Sequence, residues 1–273
     1  MKIGIIGSGS ASTTLPTHFP VEAARHPGVE LKLIQPRLSI FAFTPYERLL
    51  VDVGYVDAAQ SAAQAGCNAI LINSFADYGI EAARAAVEVP IVGAGEAALR
   101  EANAIDNGRF CILTVWPKSM GFLYDERLRS LEMTSSCLAI RHFSGEEELS
   151  HLADEDNVMV RMARHEGVII EALRAARDEL IAEYRPDSIV LGCTCMSPIA
   201  KTLAEDSPIP VIDGAISGLH ALASGHFETL TNKRAMTRRA HLIPDIVSAW
   251  VTAAHAPAPA VTSDCPVCIT DVE

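Results

Sequence analysis

Ala69-Ile70-Leu71-Ile72-Asn73-Ser74 leads through a helical segment to Val89-Pro90-Ile91-Val92-Gly93-Ala94-Gly95-Glu96-Ala97. The same pattern returns as Ile189-Val190-Leu191-Gly192-Cys193-Thr194, leading through another helical segment to Ile209-Pro210-Val211-Ile212-Asp213-Gly214-Ala215-Ile216. Each stretch reads as strand, loop, helix, strand, and the two read as copies of one unit. Ser74 and Cys193 hold the same place in each copy, just beyond the carboxyl end of a strand. Ligands of open parallel sheets bind at that end. Two such lobes facing one another aim two side chains at one cleft from opposite sides. That arrangement suits taking a proton from one face of a carbon and returning it to the other.

Working outward, β-branched runs recur at Lys2 to Ile6, Val29 to Ile34 and Phe110 to Thr114, each followed by a loop and usually a helical stretch. The alternation predicts an α/β fold of two pseudo-symmetric lobes, with mostly parallel sheets covered by helices. A helix is expected over Tyr46 to Ala65, with Leu49, Leu50, Val53 and Val56 on one side. A second long helix is expected from about Asp156 to Tyr184, stopped by Arg185-Pro186. The first lobe takes residues 1–108 plus 213–255 and the second takes 109–212. Residues 256–273, rich in Ala, Pro, Thr and Ser, are expected to form a flexible tail.

The bulk properties narrow the function. A net charge of −12 over 273 residues argues against a nucleic-acid partner, which needs clustered Lys and Arg. The amino terminus lacks the pattern of a secretory signal, and no apolar run is long enough to span a bilayer. A cytoplasmic protein without membrane partners is therefore expected. Seven cysteines scattered through apolar runs fit reduced, buried thiols better than a disulfide framework. Cys67, Cys111 and Cys137 read as core. Cys265 and Cys268, with His255 at no familiar spacing, fall short of a zinc set, so no metal is expected.

Cys193 follows Gly192 at a strand end, where backbone N–H groups and a following helix amino terminus lower a thiol pKa. Cys195 either points into the cleft or packs under that helix. Ser8 and Ser10, within a hydroxyl-rich loop that continues to Thr14, either hold a substrate carboxylate or cap a helix. Asn73, Ser74 and Thr194 are placed to donate hydrogen bonds to an oxygen that gains charge as a carbanion becomes an enolate. No lysine has a Schiff-base context, and Gly7-Ser8-Gly9 lacks the remainder of a dinucleotide fingerprint. No cofactor is expected.

Leu191-Gly192-Cys193-Thr194 resembles the Gly-Cys-Thr turn that carries the second catalytic cysteine in the aspartate/glutamate/hydantoin racemase superfamily. Ile72 to Gly79 is similar to the first catalytic loop of the hydantoin racemase branch, and Ile3 to Gly9 to the first strand and turn of glutamate racemases. The resemblance runs over about the first 225 residues. It implies proton transfer at carbon without a cofactor, on a small carboxylate or hydantoin-like substrate, with Cys193 as acid and base and Ser74 opposite it. It also places Trp116 where the superfamily contacts substrate, although an aromatic there is equally a core residue, and it implies a homodimer. Three positions depart from the pattern: Ser74 stands where racemases carry their first cysteine, Gly7 where glutamate racemases carry an aspartate, and Cys195 where they carry a histidine. Three readings follow. The chain is a racemase or isomerase with one thiol, a malonate-type decarboxylase using Cys193 as sole proton donor, or a small-molecule-binding regulator that has lost catalysis.

Overall fold

The computed structural model describes residues 1–7, 19, 28–38, 40–152, 154–225, 239 and 241–254. Its strands form two four-stranded sheets. The first contains β1 (Lys2–Ile6), β2 (Glu30–Ile34), β3 (Ala69–Ile72) and β4 (Ile91–Gly93), in the order β2-β1-β3-β4. The second contains β5 (Phe110–Thr114), β6 (Cys137–His142), β7 (Ser188–Leu191) and β8 (Val211–Ile212), in the order β6-β5-β7-β8. Every pairing is parallel. The order is the same in both sheets when each is counted from its own first strand, so the repeat seen in the sequence is a repeat of topology. In each sheet the chain reverses its direction of travel between the first and third strands. The switch point therefore lies beyond Ile6 and Ile72 in one lobe and beyond Thr114 and Leu191 in the other.

The central strands are buried on both faces, as continuous apolar runs require. Helices α1 (Pro45–Gln64) and α2 (Ile80–Ala86) cover one face of the first sheet through Val51, Tyr55, Ala59, Ala62 and Ala83, packed on Ile6, Ile70 and Ile72. Thr44 and Glu47 close a reciprocal capping box at the start of α1, with Pro45 at its first position. In the second sheet, α5 (Val158–Ala163), α6 (Gly167–Tyr184) and α7 (Ser197–Ala204) pack on Cys111, Leu113, Ile189 and Leu191.

The remaining faces are covered by an exchange. Helix α3 (Ala94–Asn103) follows a strand of the first sheet, yet Ala98, Leu99 and Ala102 pack on Phe110, Ile112, Val190 and Ile212 of the second. Helix α8 (Gly214–Ala223) follows the second sheet and returns Ala215, Leu219 and Leu222 to Ile3, Ile5 and Leu71 of the first. With α4 (Phe122–Ser130) the exchange fastens the two halves. Arg48 of α1 lies 3.1 Å from Glu126 of α4, and Arg127 lies 3.7 Å from Asp77 in the loop after β3. The last helix, α9 (Leu242–Ala254), lies against α1, where Arg37 bridges Asp57 and Ser248. Among the described residues no helix is long and apolar enough to cross a membrane.

Several local expectations need correction. The buried side of α1 is formed by Val51, Tyr55, Val56, Ala58, Ala59 and Ala62, so Val56 lies where expected, whereas Leu49 faces solvent at 62% exposure. The long helix read over Asp156 to Tyr184 is two helices, broken at Arg164 to Glu166 where His165 adopts a left-handed φ of 54°. Its end was read correctly, at Arg185 before Pro186. Strand β6 was not expected at all. It lies at a sheet edge and is only half buried, although Cys137-Leu138-Ala139-Ile140 is an apolar run like those of its neighbours. The tail at 256–273 lies outside the described residues.

Candidate active site

Residues 69–73 and 75–77 are all buried, and Ser74 between them is partly open. Residues 188–192 and 194–197 are likewise buried, and Cys193 between them is partly open. Each turn thus presents one side chain outward at its lobe's switch point. The two turns are tied to each other: Thr194 Oγ1 donates to the carbonyl of Asn73 at 3.2 Å, across the lobes. Ser74 and Cys193 each stand one residue from an end of that bond. Ala76 joins the same apolar cluster as Trp116 and Cys195, against which Cys193 is packed.

Packing explains why glycine precedes Cys193. A Cβ at Gly192 would lie 2.8 Å from Thr114 Cβ and 2.9 Å from Ile112 Cγ2, so a larger residue would push the turn off β5. The turn is held from behind by a directional chain of hydrogen bonds. Trp116 N–H donates to Thr114 Oγ1, that hydroxyl bonds the Tyr124 phenol, and the phenol donates to the Gly192 carbonyl at 3.0 Å. Tyr124 is fully buried, and burial pushes its phenol pKa up, so it remains a donor. Neither Thr114 nor Tyr124 was singled out in the sequence, because their role runs through a backbone carbonyl that no side-chain motif announces.

Cys193 takes the extended backbone of a helix N-cap, and its sulfur accepts the Cys195 N–H at 3.1 Å. A 3-10 turn over Thr194–Met196 leads straight into α7. A sulfur that receives an N–H at the head of a helix is stabilised as thiolate by both effects. The three other described cysteines are free and differ in kind. Burial raises the thiol pKa of Cys67, pushes Cys111 up to about 11 and takes Cys137 up to about 12, which suits core packing.

The structure also joins Cys193 to Cys195 as a disulfide, with the Cα atoms 5.1 Å apart. The expectation that all thiols are reduced is corrected for this pair. A separation of two residues across the tight cap brings the Cα atoms within disulfide reach. Cys195 itself is 3% exposed and packs in the second lobe's core under α7, so it follows the second of the two readings given above.

Opposite, Ser74 Oγ accepts the Ala76 N–H at 3.3 Å. Its neighbour Asn73 is 5% exposed, and its side-chain Oδ1 and Nδ2 have no hydrogen-bond partner among the described residues. The Asn73 side chain lies beside Gly7 at the end of β1, 3.5 Å from where a Cβ would sit. Trp116 is buried and meets Phe41 edge to face at 5.2 Å, so an aromatic pair drawn from both lobes stands in the cluster that backs Cys193. Phe41 lies outside any motif read in the sequence. Ser8 and Ser10 follow Gly7 in the chain and lie outside the described residues.

Two buried carboxylates brace the turns. Asp77 accepts the N–H groups of Gly95 and Glu96 at 2.9 and 2.6 Å, so it caps α3 from the loop that carries Ser74. Burial pushes its pKa up to about 7, against the opposing pull of Arg127. Asp213 accepts from Ser197 Oγ and from Ala215 N–H, both at 2.9 Å, and so clips the start of α7 to the start of α8. Burial raises its pKa as well. The Gly93-Ala94-Gly95 spacing was the available signal for Asp77, since a Cβ at either glycine would strike its carboxylate or the Phe75 carbonyl. Among the described residues no group of three or more His, Cys, Asp or Glu side chains is arranged to hold a metal ion.

The chain is 25% identical over 228 residues to a hydantoin racemase of Pseudomonas sp. (strain NS671), covering 80% of this chain and 83% of that protein. In fold it is similar to allantoin racemase from Klebsiella pneumoniae, with a TM-score of 0.69 at 22% identity over 89% of this chain and 98% of that one. An arylmalonate decarboxylase mutant shares the fold at a TM-score of 0.58 and 16% identity, over 82% of this chain and 91% of that one. The family model described as Asp/Glu/Hydantoin racemase matches residues 8–222. The chain belongs to the aspartate/glutamate/hydantoin racemase family.

Proposed function

We propose that the protein moves a proton at a carbon next to a carbonyl, on a small hydantoin-like ring, with the reduced Cys193 thiol as acid and base. The observation that carries the reading is the state of Cys193: the one open residue in a buried turn, its sulfur held by a helix-head N–H and its turn tethered to the one bearing Ser74. Cys193 as thiolate takes the proton, and the electron pair passes into the neighbouring carbonyl as an enolate. The oxygen then carries the charge, which donors at the two turns, the Ser74 hydroxyl and the Asn73 amide among them, are placed to offset, while the Thr194 hydroxyl is already given to the Asn73 carbonyl.

Asn73 suits a ureide ring. Among the described residues its amide oxygen and nitrogen have no hydrogen-bond partner, and a ring edge with N–H beside C=O offers one group to each. The relatives named as hydantoin and allantoin racemases support the same choice.

Ser74 shapes the kinetics. A serine hydroxyl is a far weaker acid than a thiol, so return of the proton is rapid only on the Cys193 side. Between turnovers the thiol exchanges its proton with water. In deuterated water the reduced protein, offered single enantiomers of 5-substituted hydantoins, is expected to place deuterium in unreacted substrate faster than it inverts the centre. Inversion at least as fast as exchange would refute the one-thiol account, and absence of both from every ring tried would refute the function. A second reading, decarboxylation of a malonate-type acid with Cys193 as sole proton donor, is favoured by the same serine. Gas release with one deuterium in the product is its signature.

A further inference from the structure

Cys195 has no part in the proton transfer proposed above: it is 3% exposed and packs in the core under α7. Its sulfur is nonetheless the partner of Cys193 in the disulfide, and its own N–H reaches Cys193 Sγ. We propose that Cys193 and Cys195 form a reversible redox site, in which Cys195 resolves oxidised Cys193 and the disulfide switches proton transfer off. The inference rests on the reading of Cys193 as the working thiol, and adds to it a modification chemistry for the neighbouring residue.

The geometry divides the roles. Cys193 is the partly open sulfur and the one that receives an N–H, so it is the one that meets a peroxide in solution. Its thiolate attacks one peroxide oxygen, the O–O bond breaks, hydroxide leaves, and Cys193 becomes a sulfenic acid. Cys195 then gives up its proton and attacks that sulfur. The S–S bond forms as the S–O bond breaks, and the second hydroxide takes up the proton as water. Overall two thiols and one hydrogen peroxide give one disulfide and two waters. A dithiol reverses the change by two exchange steps, the first at the open Cys193 sulfur, and is itself oxidised to a cyclic disulfide.

Closing the bond removes the sulfur lone pair and proton that the chemistry needs. Because both residues lie within one turn and Gly192 is pinned to Tyr124, the bond closes without separating the lobes. It also shields Cys193 from the further oxidation to which an isolated thiolate is exposed.

The test uses the full chain, fully reduced and then treated with hydrogen peroxide, with the peptide carrying residues 193 and 195 mapped by mass. That peptide is expected to lose about two mass units, for two thiol hydrogens, and to regain them with dithiothreitol. In Cys195→Ser the same peptide is expected to gain roughly 16 or 32 mass units, with the heavier product resistant to dithiothreitol. Deuterium exchange into substrate is expected to fall about ten-fold or more in the disulfide form and to return on reduction. The inference is overturned if the wild-type peptide takes up oxygen as readily as the variant, or if the disulfide form exchanges as fast as the reduced one. If the reduced protein exchanges no substrate at all, the proposed function fails, and the mass shift still decides the redox site by itself.

Discussion

Ser74 occupies the place from which a second thiol would act, and one atom sets the difference. Its oxygen already accepts the Ala76 N–H, and as a hydroxyl it holds its proton too tightly to deliver it to a carbanion at neutral pH. Substituting Ser74→Cys is expected to raise the rate of inversion by about 10²-fold or more while leaving the rate of exchange from the Cys193 side within a few-fold. Polarimetry and deuterium incorporation, followed in one reaction, separate the two rates. An unchanged inversion rate would show that position 74 does not face the reacting carbon. At this scale the sequence was informative for Cys193, Ser74, Asn73 and Thr194, because each lies in or beside a strand-end turn whose place was set by the repeat. It was uninformative for Tyr124, Thr114 and Phe41, which act through a carbonyl or through ring packing and carry no spacing of their own.

At the scale of elements, the turn after β7 depends on backbone packing against β5. Gly192→Ala drives a methyl group into the side chains of Thr114, Ile112 and Tyr124, and is expected to destabilise the fold by about 1–3 kcal/mol. The same substitution strains the Tyr124 bond to the Gly192 carbonyl and is expected to reduce exchange. Urea unfolding followed by circular dichroism measures the first effect, and a midpoint equal to that of the parent would contradict the packing account. The central strands were legible as dense apolar runs, and seven of the eight strands among the described residues were expected from the sequence. The edge strand β6 was passed over although Cys137 to Ile140 is apolar, and the break at His165 escaped because no proline or glycine precedes it within the helical run. The exposed Leu49 shows the converse limit: of the four residues that apolar spacing placed on one side of α1, Val56 is buried while Leu49 faces solvent.

Across the whole molecule, the two halves are coupled by exchanged helices and by buried charge. Asp77 belongs to the first lobe, caps α3, and lies beside Arg127 of the second. Its pKa rises from 3.8 to about 7 in the fold, so between those values the native state binds a proton that the unfolded chain has lost. Stability is therefore greatest, as far as this group is concerned, below pH ~4, and falls as pH rises through about 7, with a slope of at most roughly 1.4 kcal/mol per pH unit. Asp77→Asn is expected to flatten that slope while lowering stability at pH 5, because an amide offers one acceptor where the cap uses two. A variant with the parent's pH slope would show that another group controls it. The sequence placed residues 213–255, and with them α8, in the first lobe, but the packing of α3 on the second sheet was not legible, since the sequence assigns a helix to its nearest strand and cannot tell which sheet receives its apolar face.

The account stands or falls on the sulfur at position 193, so the most direct measurement is α-deuterium incorporation by fully reduced wild type and by Cys193→Ala, with folding of both verified by circular dichroism. Loss of incorporation by about 10²-fold or more in the alanine variant is the predicted result. Incorporation by Cys193→Ala at the wild-type rate would contradict it.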